Sequence, residues 1–72
     1  MKLSYNGHDI KALATVFKNG DWGVEVIVEW LEGIVEKKRI FSAYEIFSSQ
    51  NGAESWGLLA AVRWIDSGKG AR

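Results

Sequence analysis

The sequence predicts an α+β fold: a three- or four-stranded antiparallel β-meander with one C-terminal α-helix packed on one face. Three observations carry this. Residues 22–30 alternate, with Val24, Val26, Val28 and Trp30 pointing one way and Glu25, Ile27 and Glu29 the other. Asn19-Gly20 separates that run from an earlier apolar-alternating one, the strongest short-range signal for a tight hairpin. Residues 50–66 place Ala53, Trp56, Gly57, Ala60, Ala61, Trp64 and Ile65 on one face at the helical period.

In chain order, an extended piece covers Lys2 to Tyr5, and Asn6-Gly7 is a tight turn or a bulge before a strand from His8 to Phe17. A type I′ turn at Asn19-Gly20 pairs Lys18 with Asp21, setting Phe17 opposite Trp22, Thr15 opposite Val24 and Leu13 opposite Val26. Leu13, Phe17, Trp22, Val24, Val26 and Val28 then form the core face. Ile10, Ala12, Ala14, Val16, Glu25, Ile27 and Glu29 form the other.

The second strand runs from Trp22 to Leu31, where β-branched residues favour a strand over a helix. Glu32-Gly33 marks the next reversal, before a strand from Val35 to Ser42. A three-residue loop there pairs Glu29 with Lys37 and Val26 with Ile40, keeping like charges apart. Ala43 to Phe47 is a fourth short strand or a packed connection. The helix from Gln50 to Asp66 has Ser48 or Ser49 as its N-cap, with Asn51 and Glu54 as an alternative capping box. Gly68 suits a C-terminal stop. Gly57, Ala60 and Ala61 permit close approach to the sheet, and Trp56 and Trp64 fill the edges.

The chain of 72 residues makes a single domain, 1–67, with a flexible tail at 68–72. Its core is small, and with no cysteine neither disulfides nor thiolate zinc sites reinforce it. The four tryptophans supply bulk instead. Nine basic and nine acidic side chains cancel, which argues against nonspecific binding to nucleic acid or anionic membranes. No apolar run approaches the roughly 20 residues needed to span a bilayer, and the opening residues lack a signal-peptide core. A cytoplasmic protein is expected.

No catalytic, metal or cofactor signature emerges, so neither an enzyme nor a cofactor is expected. His8 is the only histidine, and Asp9 beside it points to the opposite strand face. It reads as an exposed or turn-packed residue. Glu25 and Glu29 share a face but sit about 13 Å apart, beyond the roughly 5–9.5 Å of glycosidase carboxylate pairs. They are better explained as partners for Lys37 and Arg39. Ser48-Ser49-Gln50-Asn51-Gly52 resembles an anion-binding helix start but contains what ordinary capping selects.

Two surfaces remain. Lys37, Lys38 and Arg39, flanked by Phe41 and Tyr44, are the candidate nucleic-acid contacts, although strand alternation splits them. The candidate interface is Ile10, Ala12 and Ile27, apolar positions beyond the reach of a helix on the other face, with Leu59 and Val62, which flank the helix's polar side. The expected function is therefore a small non-enzymatic protein-interaction module, homodimeric or binding a small protein partner. The alternative is a nucleic-acid-associated transcriptional regulator.

Tyr5-x-Gly7-x-x-Ile10, the Trp22 strand, Phe41 and the closing Trp64-Ile65-Asp66-x-Gly68 together carry a likeness. The chain resembles short bacterial sheet-plus-C-terminal-helix proteins and, more distantly, is similar to the HlyU type of small transcriptional regulator. The resemblance implies the architecture and a bacterial origin. It assigns a role to no residue.

Overall fold

Alternating side chains and three glycine-bearing reversals fold this chain into one antiparallel sheet. The computed structural model describes residues 1–68, excepting the side chains at 43–45. Strands β1 (Lys2–Tyr5), β2 (His8–Val16), β3 (Trp22–Glu32) and β4 (Val35–Phe47) lie in the order β1-β2-β3-β4, followed by helix α1 (Gln50–Asp66). This is the α+β meander expected, with four strands and the helix packed against the sheet. The expected tail beyond Gly68 lies outside the described residues.

The two Asn-Gly pairs that link strands make different turns. Asn6 (φ 51°) and Gly7 (φ 78°) both adopt positive φ, so this two-residue loop has type I′ character and pairs Tyr5 with His8. At the second pair only Gly20 has positive φ, at 89°. The Phe17 carbonyl accepts from Gly20 N–H at 3.0 Å, and Phe17 N–H donates to the Asp21 carbonyl at 2.7 Å. That is a three-residue loop closed by a glycine bulge. Asn19 caps it, its Oδ1 accepting from Asp21 N–H at 3.2 Å.

The longer loop shifts the expected register by one residue. Val24, Val26 and Val28 face Ala14, Ala12 and Ile10, rather than Thr15, Leu13 and Lys11. Since side chains alternate, one residue of slip exchanges the faces of β2. Burial explains the choice. The expected register would turn Asp9 and Lys11 toward the helix, and an unpaired buried charge is prohibitively costly. The observed one offers Ile10, Ala12 and Ala14. Leu13 and Phe17, expected in the core, are instead about half exposed on the opposite face.

Between β3 and β4 the loop is Gly33-Ile34, with Gly33 at φ 68° and Glu32 paired with Val35. Glycine at the first central position suits a type II′ turn. The expected pairing of Glu29 with Lys37 and Val26 with Ile40 is therefore also one residue out. Glu29 faces Lys38, Val26 faces Phe41, and Ile27 faces Ile40. Residues Ala43–Phe47 continue β4 itself, past a register shift that sets Ala43 opposite Val24 but Phe47 opposite Trp22.

The helix meets the sheet as its small residues direct. Ala53, Gly57, Ala61 and Ile65 are buried over Ile10, Ala12, Val24, Val26 and Val28. Trp56 packs on Phe47 and Trp64 on Trp30, each pair with ring centres 5.6 Å apart. Ser49 is the N-cap, accepting from Gly52 N–H at 3.0 Å. At the other end Ser67 N–H donates to the Arg63 carbonyl, and Gly68, at φ 85°, donates to Ile65.

Candidate functional site

The five apolar positions singled out as an interface do not form one surface. Ile10 and Ala12 are essentially inaccessible beneath the helix, because the register slip turned them inward. Ile27 lies on the opposite sheet face. Leu59 is half exposed on the outer side of α1, and Val62 is partly buried at its flank. An interface through Ile10 and Ala12 is thereby ruled out.

The helix covers one side of the sheet, and among the described residues no element covers the other face. Ile27 and Ile40 sit directly opposite on neighbouring strands, and Leu13, paired with Glu25, lies diagonal to Ile27. These three make an apolar strip across β2, β3 and β4. Leu13 is 47% exposed and Ile40 51%. The Phe17 ring lies over Gly23, where an added Cβ would come within 2.8 Å of it. Around the strip, Lys11 pairs with Glu29 at 3.9 Å, and Glu29 also faces Lys38.

Strand β4 forms one edge of the sheet, and residues 31–40 are exposed throughout. Lys37 and Arg39 stand opposite Trp30 and Val28 on the helix side, while Lys38 stands opposite Glu29 on the open side. The basic cluster is thus divided as alternation requires. Beyond Trp30 the β3–β4 hairpin projects past the helix, carrying Leu31 and the 97%-exposed Ile34.

His8 is 5% exposed, its Nδ1 2.9 Å from the Asn6 carbonyl oxygen and its ring 5.3 Å from Trp30. It packs into the first turn, which is a structural role. Trp30 Nε1–H is buried without an acceptor among the described residues. A shallow open cleft of about 400 Å³ brings Asp9, Glu29, Glu36 and Lys37 near Trp30. Yet among the described residues no cluster of His, Cys, Asp or Glu is disposed to hold a metal ion.

Two long-range ties were not evident from sequence. Tyr5 Oη donates to Asp66 Oδ1 at 2.7 Å, linking β1 to the helix end. This hydrogen bond, followed by desolvation and the carboxylate's charge, raises the Tyr5 phenol above its ordinary pKa. The Met1 ammonium donates to the Ala12 carbonyl at 3.1 Å and lies 3.8 Å from Glu54. Glu54 is thereby drawn to the β1 side rather than into a capping box. Only a contact map reveals pairs 61 residues apart.

No helix among the described residues is long and apolar enough to cross a membrane. No family model, curated protein or solved structure matches this chain.

Proposed function

We propose that this chain is a non-enzymatic protein-interaction module of the bacterial cytoplasm that self-associates through the open face of its sheet. The observation that carries the reading is the Leu13–Ile27–Ile40 strip, an apolar band on a face that no other element among the described residues covers. Its surroundings mix Lys11 and Lys38 with Glu25 and Glu29, which suits a self-complementary contact better than a polyanion. Strands β2, β3 and β4, taken over about nine residues each, together with the short β1, give a planar footprint of roughly 500 Å² at the usual strand spacing and rise. Side-chain relief brings that toward the roughly 800 Å² per partner of a standard interface.

The alternative, a nucleic-acid-associated regulator using Lys37, Lys38 and Arg39, has less support. Lys38 points away from the other two and faces Glu29. Sedimentation equilibrium tests the preferred reading: a dimer at micromolar concentration, converted to monomer by Ile27→Glu. A monomer at high micromolar concentration refutes it.

A further inference from the structure

Self-association through the open face leaves the outer edge of β4 unused. We infer that this edge binds an extended acidic peptide of another protein, which adds to the sheet as a fifth strand.

The backbone supplies the first half of the argument. A two-residue loop makes its flanking residues, Glu32 and Val35, a hydrogen-bonded pair, and bonded pairs recur every second residue from there. Lys37, Arg39 and Phe41 therefore spend their backbone groups on β3. Glu36, Lys38 and Ile40 direct their N–H and C=O outward. The β2–β3 pair has the same phase: the Phe17–Asp21 bond makes odd-numbered β3 residues partner β2 and leaves even-numbered ones for β4. The outward groups lie in the stretch exposed throughout residues 31–40. Such a row is a ready template for an added strand.

Charge supplies the second half and selects the occupant. Lys37 and Arg39 line the helix side of this edge, in the positions where an added strand's side chains come closest. If a second copy paired there antiparallel about Lys38, Lys37 would meet Arg39 of that copy, and the two edges would repel. Acidic side chains meet attraction at the same positions. In that register the cations oppose pairing with a second copy, and they offer the edge to the opposite charge. Phe41 and Ile40 follow in sequence. An antiparallel strand must accordingly present, from its N-terminus, two apolar residues and then three acidic ones.

The probe is a capped peptide, Thr-Val-Val-Glu-Glu-Glu-Thr, titrated into isotopically labelled full-length protein and followed by NMR. Binding is expected to slow hydrogen exchange at the amides of Glu36, Lys38 and Ile40 while leaving those of Lys37 and Arg39, already bonded to β3, little changed. Replacing both Lys37 and Arg39 with Glu should weaken binding about tenfold, as two cross-strand attractions become repulsions. Glu36→Pro removes one outward donor together with one negative charge, and proline is tolerated at such a position. Strand addition predicts weaker binding by that variant, whereas loose ionic attraction predicts tighter binding. Ile27→Glu, on the open face, should leave binding intact whatever it does to the dimer. The inference is overturned by equal binding of the Val-Val-Lys-Lys-Lys analogue or by unchanged exchange along β4. Preferential binding of a single-stranded oligonucleotide at these residues overturns it as well.

Discussion

Replacing Gly57 with alanine tests how closely the helix sits on the sheet. A Cβ at this position would lie 2.9 Å from Val26 Cγ2, 3.1 Å from Val24 Cγ2 and 3.3 Å from Ala12 Cβ. All three neighbours are buried, so none can swing into solvent. Overpacking of this kind costs about 1–3 kcal/mol. Alanine also gains about 1 kcal/mol over glycine in a helix interior. The steric term wins, leaving a net destabilisation of about 1 kcal/mol. For a domain of this size that lowers the melting temperature by about 4–8 °C. Thermal unfolding followed by tryptophan fluorescence reads the change. Ser55→Ala, on the exposed side of the same helix, serves as control and should be neutral or slightly stabilising. A Gly57→Ala protein that melts above the wild type would refute the reasoning, since it would mean that the helix rides high enough to admit a methyl group.

Two further outcomes follow from the register and the helix end. Ile10→Ala should cost about 2–5 kcal/mol in urea unfolding, because the side chain is 1% exposed. Leu13→Ala, on the open face, should cost the monomer less than about 1 kcal/mol. The reverse ranking would restore the register with Leu13 in the core. Tyr5, whose pKa is raised by its bond to Asp66, should titrate above the ordinary tyrosine value of about 10. Because the folded-state pKa is the higher one, its contribution to stability is complete below about pH 10 and disappears as the pH rises through the folded value. Asp66→Asn should return the phenol toward the ordinary value in an ultraviolet titration. An unshifted phenol in the wild type would show that the bond is not kept in solution.

The sequence disclosed the elements more readily than their alignment. Val24, Val26 and Val28 alternate strongly enough to define β3 without reference to anything else, and Ala53, Gly57, Ala61 and Ile65 define the buried stripe of α1. Both signals are local. The loop at Asn19-Gly20 was not legible from the dipeptide alone, because Asn-Gly serves a type I′ turn and a bulged three-residue loop equally well. The deciding information lay in Asp9 and Lys11, eight or more residues away, whose charges forbid one of the two faces of β2. A type I′ turn with Lys18 paired to Asp21 places Leu13 and Phe17 in the core, but the same alternation carries Asp9 and Lys11 in with them. The third reversal failed for a similar reason. Cross-strand charge pairing is worth only about 0.2–1 kcal/mol, too little to set a register against the demand of Gly33 for positive φ.

That slip matters more to function than to fold. The architecture is the same in either register, but the exchange of faces decides which residues are available to a partner. Ile10 and Ala12 pass from a candidate surface into the core, while Leu13 and Phe17 pass outward to join Ile27 and Ile40. The loop between two strands thus assigns their apolar residues to one side or the other. The charge pattern along the edge of β4 does not depend on the second loop. Residues 35–40 of that edge are exposed, and one-residue alternation separates Lys38 from Lys37 and Arg39 whichever way the hairpin closes. Register decides there which amides point outward and which face Lys37 and Arg39 share, and both follow from the Glu32–Val35 pair. The open face depends on both the second loop, which turns Leu13 outward, and the third, which sets Ile40 beside Ile27, while the edge depends on the third.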